Sequence, residues 1–184
     1  MTDICFIVLL VMAPFIGSFL GVVVQRWGRE TLGGRSHCDY CGHELAAADL
    51  VPLVSWLALG GKCRYCGAKL GAFFPAIEIL AIAPVLWAAT QMEGPLLIAT
   101  SLFGWLLLAL SGIDWRSQRL PDALTALLAV LGLTAAAYFD FPNLQGHLIG
   151  LLAGFSAFWL VGVVYQFLRK RTGLGLGDAK LLAG

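Results

Sequence analysis

The most chemically specific feature of this 184-residue sequence is a set of four cysteines in two pairs, Cys38–Cys41 and Cys63–Cys66. Two residues separate the cysteines of each pair, 21 residues separate the pairs, and each pair is followed by glycine, Gly42 and Gly67. A two-residue gap lets both sulfurs of one pair reach one ion, and two such knuckles complete the tetrahedral four-thiolate set preferred by structural Zn²⁺. The glycines permit the tight turn that aims backbone N–H groups at sulfur. Such a site has no open coordination position, so zinc here is expected to fold the loop rather than to catalyse. His37 and His43 flank the first knuckle and are the alternative ligands should a cysteine not bind. Cys5, within an apolar run, reads as a packing residue.

Three carboxylates form the second candidate group. Asp114 ends an apolar run, Asp178 follows Gly175-Leu176-Gly177, and Glu78 interrupts another apolar run. Ionisable groups in or beside a membrane span are functional candidates by default. Two facing carboxylates in a partly dry site cannot both ionise cheaply, so they share a proton. One can then deprotonate a water while the other protonates the carbonyl under attack, which is the chemistry of an aspartic protease. The simpler reading is that Asp114 is an interfacial anchor and Asp178, close to Lys180, a helix N-cap.

The elements that hold these residues follow from composition. Hydrophobic residues make up 59% of the chain and charged residues 12%, with a net charge of +1. Soluble domains run at about 45–50% apolar and about 25% charged, so a water-soluble globule is excluded, and so is a disordered chain. No global basic field exists to attract nucleic acid. Uncharged runs at Ile4–Val24, Ile79–Met92 (extended by Phe73–Ile77), Gly94–Ile113, Ala123–Phe139 and Leu148–Leu168 predict five spans. The fold class expected is an all-α polytopic membrane protein with a small zinc-stapled loop. The apolar start of a sixth helix, Ala179–Gly184, reads as a span cut short.

The 12 Lys and Arg residues fall in three segments: Gln25–Ala72, Trp115–Leu120 and Arg169–Lys180. They alternate along the chain with flanks that hold only acids and a histidine. The positive-inside rule then puts the N-terminus outside and the basic segments in the cytoplasm. Asp114 and Asp178 share the cytoplasmic depth in this topology. Thiols stay reduced on that face, which favours metal over disulfides. The first span lacks the basic n-region and cleavage site of a signal peptide. Residues 25–72 are too few to bury a sufficient core unaided, so the loop needs its metal.

Taken in order, the motifs resemble those of the bacterial prepilin peptidases, also called type IV leader peptidases. The matching residues are Gly17-Ser18-Phe19-Leu20 with Arg26; Gly34-Arg35-Ser36 before Cys38; Asp49-Leu50-Val51-Pro52 with Ser55; and Phe74-Pro75 with Glu78. Ile113-Asp114 through Leu120-Pro121-Asp122, and Gly175-Leu176-Gly177-Asp178 with Lys180, match the two aspartate motifs. The resemblance covers nearly the whole chain. It implies a GxGD-type aspartic endopeptidase of the bacterial inner membrane, with Asp114 and Asp178 as the catalytic pair and Asp122 outside it. It further implies type IV prepilins or type II secretion pseudopilins as substrates, cut after a glycine in a short basic leader. The second implied activity is S-adenosylmethionine-dependent N-methylation of the new N-terminus, associated with the cysteine region.

The domain expectation is a first helix over 1–24, a zinc-binding, methyltransferase-associated region over 25–72, and a peptidase region over 73–184. The chain departs from the family twice. Gly21 stands where Asn is typical, and further membrane helices normally follow the second aspartate motif. Without those helices, the 184-residue chain is expected to be inactive or nearly so. Two non-peptidase readings compete: a membrane adaptor whose zinc loop docks a partner, and a transporter with Asp114 and Asp178 as proton sites. An adaptor does not explain Gly-x-Gly-Asp, and a transporter places its acids nearer the midplane, often in internal repeats.

Overall fold

In the computed structural model, residues 2–28, 33–118 and 120–169 are described. They form helices α1 (Thr2–Arg26), α2 (Val54–Ala58), α3 (Phe73–Leu80), α4 (Ile82–Gln91), α5 (Pro95–Ser117), α6 (Asp122–Phe139) and α7 (Leu144–Arg169). Short 3₁₀ turns lie at Ala47–Leu50 and Phe141–Asn143. No strand occurs among the described residues, and five helical stretches are long and apolar enough to cross a membrane. The protein is therefore an all-α polytopic membrane protein, as the hydropathy pattern predicts. Arg169 is the last described residue, so the expected sixth helix at Ala179–Gly184 lies outside the described residues.

The chain divides into two compact units, Met1–Ala109 and Leu110–Gly184. In the first, α1 packs on α3 along a face built from Ala13, Gly17, Leu20, Gly21 and Val24, all buried. Within it Ala13, Gly17 and Gly21, four residues apart, form the small-residue stripe that brings membrane helices together. At Gly17 a Cβ would stand 2.7 Å from Glu78 Cα and 2.9 Å from the Ile77 carbonyl oxygen. At Gly21 it would stand 2.9 Å from the Phe74 ring.

The second span differs from the continuous run read in the sequence. Its helix breaks at Ala81, between α3 and α4. Pro84 supplies the reason: it offers no N–H to the carbonyl four residues earlier, and its ring crowds that carbonyl. The Trp105 indole N–H of α5 donates to the Ala81 carbonyl at 2.7 Å. This bond ties α5 to the break, one residue past Leu80, whose carbonyl is the one the proline leaves without its helical donor. The adjacent Gly104 lets α5 pass the proline, where a Cβ would come within 2.5 Å of Pro84 Cβ.

In the second unit, α6 and α7 form a helical hairpin. The turn between them is held by Asp140, whose carboxylate accepts from Asn143 Nδ2 at 2.8 Å and lies 3.1 Å from His147 Nε2. The His147 and Asn143 contacts hold the Asp140 carboxyl below its ordinary range.

Candidate functional site

The two cysteine knuckles are copies of one hairpin. The Cys38 N–H donates to the His43 carbonyl, and the Cys63 N–H to the Ala68 carbonyl. Gly42 N–H closes on Cys38 O at 2.8 Å, and Gly67 N–H on Cys63 O at 2.9 Å. Leu45 N–H reaches Ser36 O and Leu70 N–H reaches Gly61 O, again at matching positions. Both closing glycines have positive φ, +68° and +71°, with open space where a Cβ would be. Backbone conformation, not room, therefore demands glycine at 42 and 67.

All four sulfurs lie within 4.8 Å of one another. Cys38 Sγ and Cys66 Sγ are 3.9 Å apart, and tetrahedral metal–sulfur bonds of about 2.3 Å require a separation of about 3.8 Å. The donor set thus fits one four-coordinate ion. All five cysteines are free thiols, so no disulfide competes. His37 and His43 lie outside the sulfur group: His37 Nδ1 is 3.4 Å from the Arg35 carbonyl, and the His43 ring stacks on Tyr65 at 3.6 Å.

The sulfurs are electrostatically unequal. Cys63 falls to about 7 because the Cys66 and Tyr65 N–H groups point at its sulfur. For Cys66, the Ala68 N–H favours the thiolate, but desolvation and the sulfurs of Cys63, Cys41 and Cys38 outweigh it and carry the thiol to about 11. Crowded thiols cannot all ionise on their own, and a divalent cation removes that conflict.

Polar clips fasten the knuckles to their surroundings. Asp39 of the first accepts from Gln25 of α1 at 3.1 Å. Arg64 of the second donates through Nε to Asp49 at 2.7 Å, where the Tyr65 hydroxyl and the Ala46 N–H also donate. The Arg64 hydrogen bond chiefly holds the Asp49 carboxyl below its ordinary range. The sequence marked Asp49 within a motif without giving it this role, because its partner lies 15 residues away.

Glu78 is 5% exposed and accepts the Leu53 N–H at 2.8 Å through Oε2. Leu53 has φ +60° and ψ −48°, the strained γ-turn geometry rare for a non-glycine residue. The Val54 N–H closes a tight turn onto the Pro52 carbonyl at 2.5 Å. Residue spacing gives no hint of this contact between a loop amide and a membrane-helix carboxylate.

Asp114 lies half-buried in the last turn of α5, which continues through Ser117 rather than stopping at Asp114. Its carbonyl accepts both the backbone and side-chain N–H of Gln118, whose φ of +51° ends the helix. Asp122 is exposed in the first turn of α6. Asp178 and its Gly-x-Gly lead-in lie outside the described residues. Gly21, in the place where Asn is typical, faces the Phe74 ring, 2.9 Å from where a Cβ would stand.

Residues 11–92 match the family model of the bacterial peptidase A24 N-terminal domain, and residues 101–184 that of the type IV leader peptidase family. A Dichelobacter nodosus protein called prepilin leader peptidase/N-methyltransferase is 40% identical over 149 residues, covering 80% of this chain and 52% of that protein. A protein of the same name from Pseudomonas aeruginosa is 37% identical over 198 residues, covering 91% and 67%. One from Stutzerimonas stutzeri is 34% identical over 204 residues, covering 95% and 69%. The chain thus spans about half to two thirds of the length of such relatives. No solved structure matches it. With both halves matched in order and these identities sustained along the chain, the protein belongs to the type IV leader peptidase family.

Proposed function

We propose that the protein is a prepilin leader peptidase of the bacterial inner membrane, working as an aspartic endopeptidase through Asp114 and Asp178. The observation that carries this reading is family membership joined to the position of Asp114, a half-buried carboxylate in the last turn of a membrane span. One aspartate of the pair removes a proton from water as the oxygen attacks the carbonyl carbon of the scissile peptide. The other, protonated, donates to the carbonyl oxygen. Collapse of the tetrahedral intermediate breaks the C–N bond, and the departing amine takes a proton. Asp122, exposed on the next helix, takes no part.

The substrates on this reading are type IV prepilins or type II secretion pseudopilins. Alternation of basic and non-basic flanks favours an N-terminus outside and the cysteine loop and aspartates at the cytoplasmic face. The four thiolates hold one structural Zn²⁺, supported by the 3.9 Å spacing of Cys38 and Cys66 and the gathering of all four sulfurs within 4.8 Å. The relatives' names couple leader peptidase to N-methyltransferase. The second activity proposed is methylation of the new N-terminal amine by S-adenosylmethionine.

The test is co-expression with a prepilin of a form that continues through further membrane helices after the second aspartate motif, scored by the mobility of the processed product. Wild type should process and Asp114→Asn should abolish processing, because an amide cannot serve as base, while Asp122→Asn retains most of it. Undiminished processing by Asp114→Asn would remove that residue from the mechanism.

A further inference from the structure

The loop segment Leu50–Ala58 shows its apolar side chains to the outside. Within it Val54 is 62% exposed and Leu57 69%, three residues apart on α2 and so on one face. Leu50 and Val51, just before the helix, are exposed as well. Pro52 is buried and Trp56 half-buried, its ring packed against Gly61, where a Cβ would stand 3.0 Å away. A helix washed by water carries its apolar residues on the inner face, so this pattern is inverted. Isolated exposed apolar residues need no explanation, but a cluster in one short segment does.

Where the segment sits identifies its surroundings. The second span, Phe73–Gln91, has 19 residues. At about 1.5 Å per residue it measures about 28 Å, just enough for a hydrocarbon core of about 30 Å. Phe73 therefore stands near one boundary, and Glu78, five residues on, lies about 7 Å inside it. The Leu53 N–H is bonded to that carboxylate at 2.8 Å, so the backbone entering α2 lies at the depth of the second turn of the span. Interfacial helices seat their apolar face about 5–10 Å into the boundary between headgroups and acyl chains. Phe73, Ile79 and Leu80 expose apolar side chains on the same span, so a lipid-facing surface already exists beside the loop.

We propose that Leu50–Ala58 is an interfacial segment that seats Val54 and Leu57 in the lipid, and that Glu78 draws it there. A buried carboxylate in a span is costly unless hydrogen-bonded. The strained turn at Leu53 presents the amide that satisfies it. The loop is thus fixed to the membrane at a second place, away from the cysteine knuckles. This assignment needs the membrane spans but not the peptidase reading.

The test uses the full chain in vesicles of phosphatidylethanolamine and phosphatidylglycerol, with prepilin peptide added. Photo-reactive p-benzoylphenylalanine replaces Leu57, Val54 or, as the equally exposed knuckle control, Tyr40. Illumination should give lipid adducts at 57 and 54 several-fold above the Tyr40 level. Glu78→Ala should bring the Leu57 adduct down to that level. Glu78→Gln, whose amide oxygen still accepts the Leu53 N–H, should preserve it. Lipid adducts at 57 no greater than at 40 would overturn the proposal. So would adducts at 57 with the peptide alone, which would make this face a substrate surface. Unchanged lipid adducts in a folded Glu78→Ala protein would remove Glu78 as the tether.

Discussion

The cysteine loop and the helix pair α1–α3 are both small structures that must hold a fixed shape, and they do so by opposite means. The loop, too short for a core of its own, gathers four sulfurs, repeats one hairpin twice and adds the Asp49–Arg64 and Asp39–Gln25 clips. The helix pair is held differently. It depends on removing side chains, at Gly17 and Gly21, until backbones and rings meet. In water a short segment gains little from burial and must be stapled. In lipid burial gives no advantage over the solvent, so close packing decides. Glu78 is where the two regimes meet, with its carboxylate bonded to the loop and its Cα against Gly17.

If that contrast is right, the loop should fail first and most completely. Replacing buried Cys38 or Cys63 by Ser should cost a large share of a metal-binding free energy on the order of 10 kcal/mol. Metal analysis should fall from one ion per chain toward none, and limited proteolysis should cut within residues 33–72. The helices should remain protected, and Cys5→Ser should change neither readout. A loop that stays resistant without metal would show that the polar clips suffice.

Gly17→Val attacks the helix pair instead. Its Cβ would face backbone atoms under 3.0 Å away, which cannot yield as a flexible side chain would. A loss of about 3 kcal/mol is expected, seen as a lower unfolding temperature in detergent with metal content unchanged. Trp105→Phe should be milder. It keeps most of the packing but removes the indole donor to the Ala81 carbonyl, at about 1 kcal/mol. A larger loss than for Gly17→Val would mean that the broken span, not the glycine face, is the weak point of this unit.

The sequence by itself determined the five spans, because the length of an uncharged run and the thickness of a bilayer are enough to decide a crossing. It also determined the four-sulfur group, because a two-residue gap with a following glycine encodes its own hairpin locally. Only the tertiary structure decided what depends on residues far apart in the chain. Pro84 could be seen in the sequence, but the bond from Trp105 to the Ala81 carbonyl at the break required α5 to be alongside. Glu78 could be singled out as a charge in a span, but the amide that satisfies it comes from 25 residues earlier, on a turn no local pattern announces. Gly17 could be read as part of a motif and Gly21 as a departure from one, whereas both stand at the close approach of another helix. Local spacing fixes local chemistry, and the satisfaction of a buried group is settled only when distant segments pack.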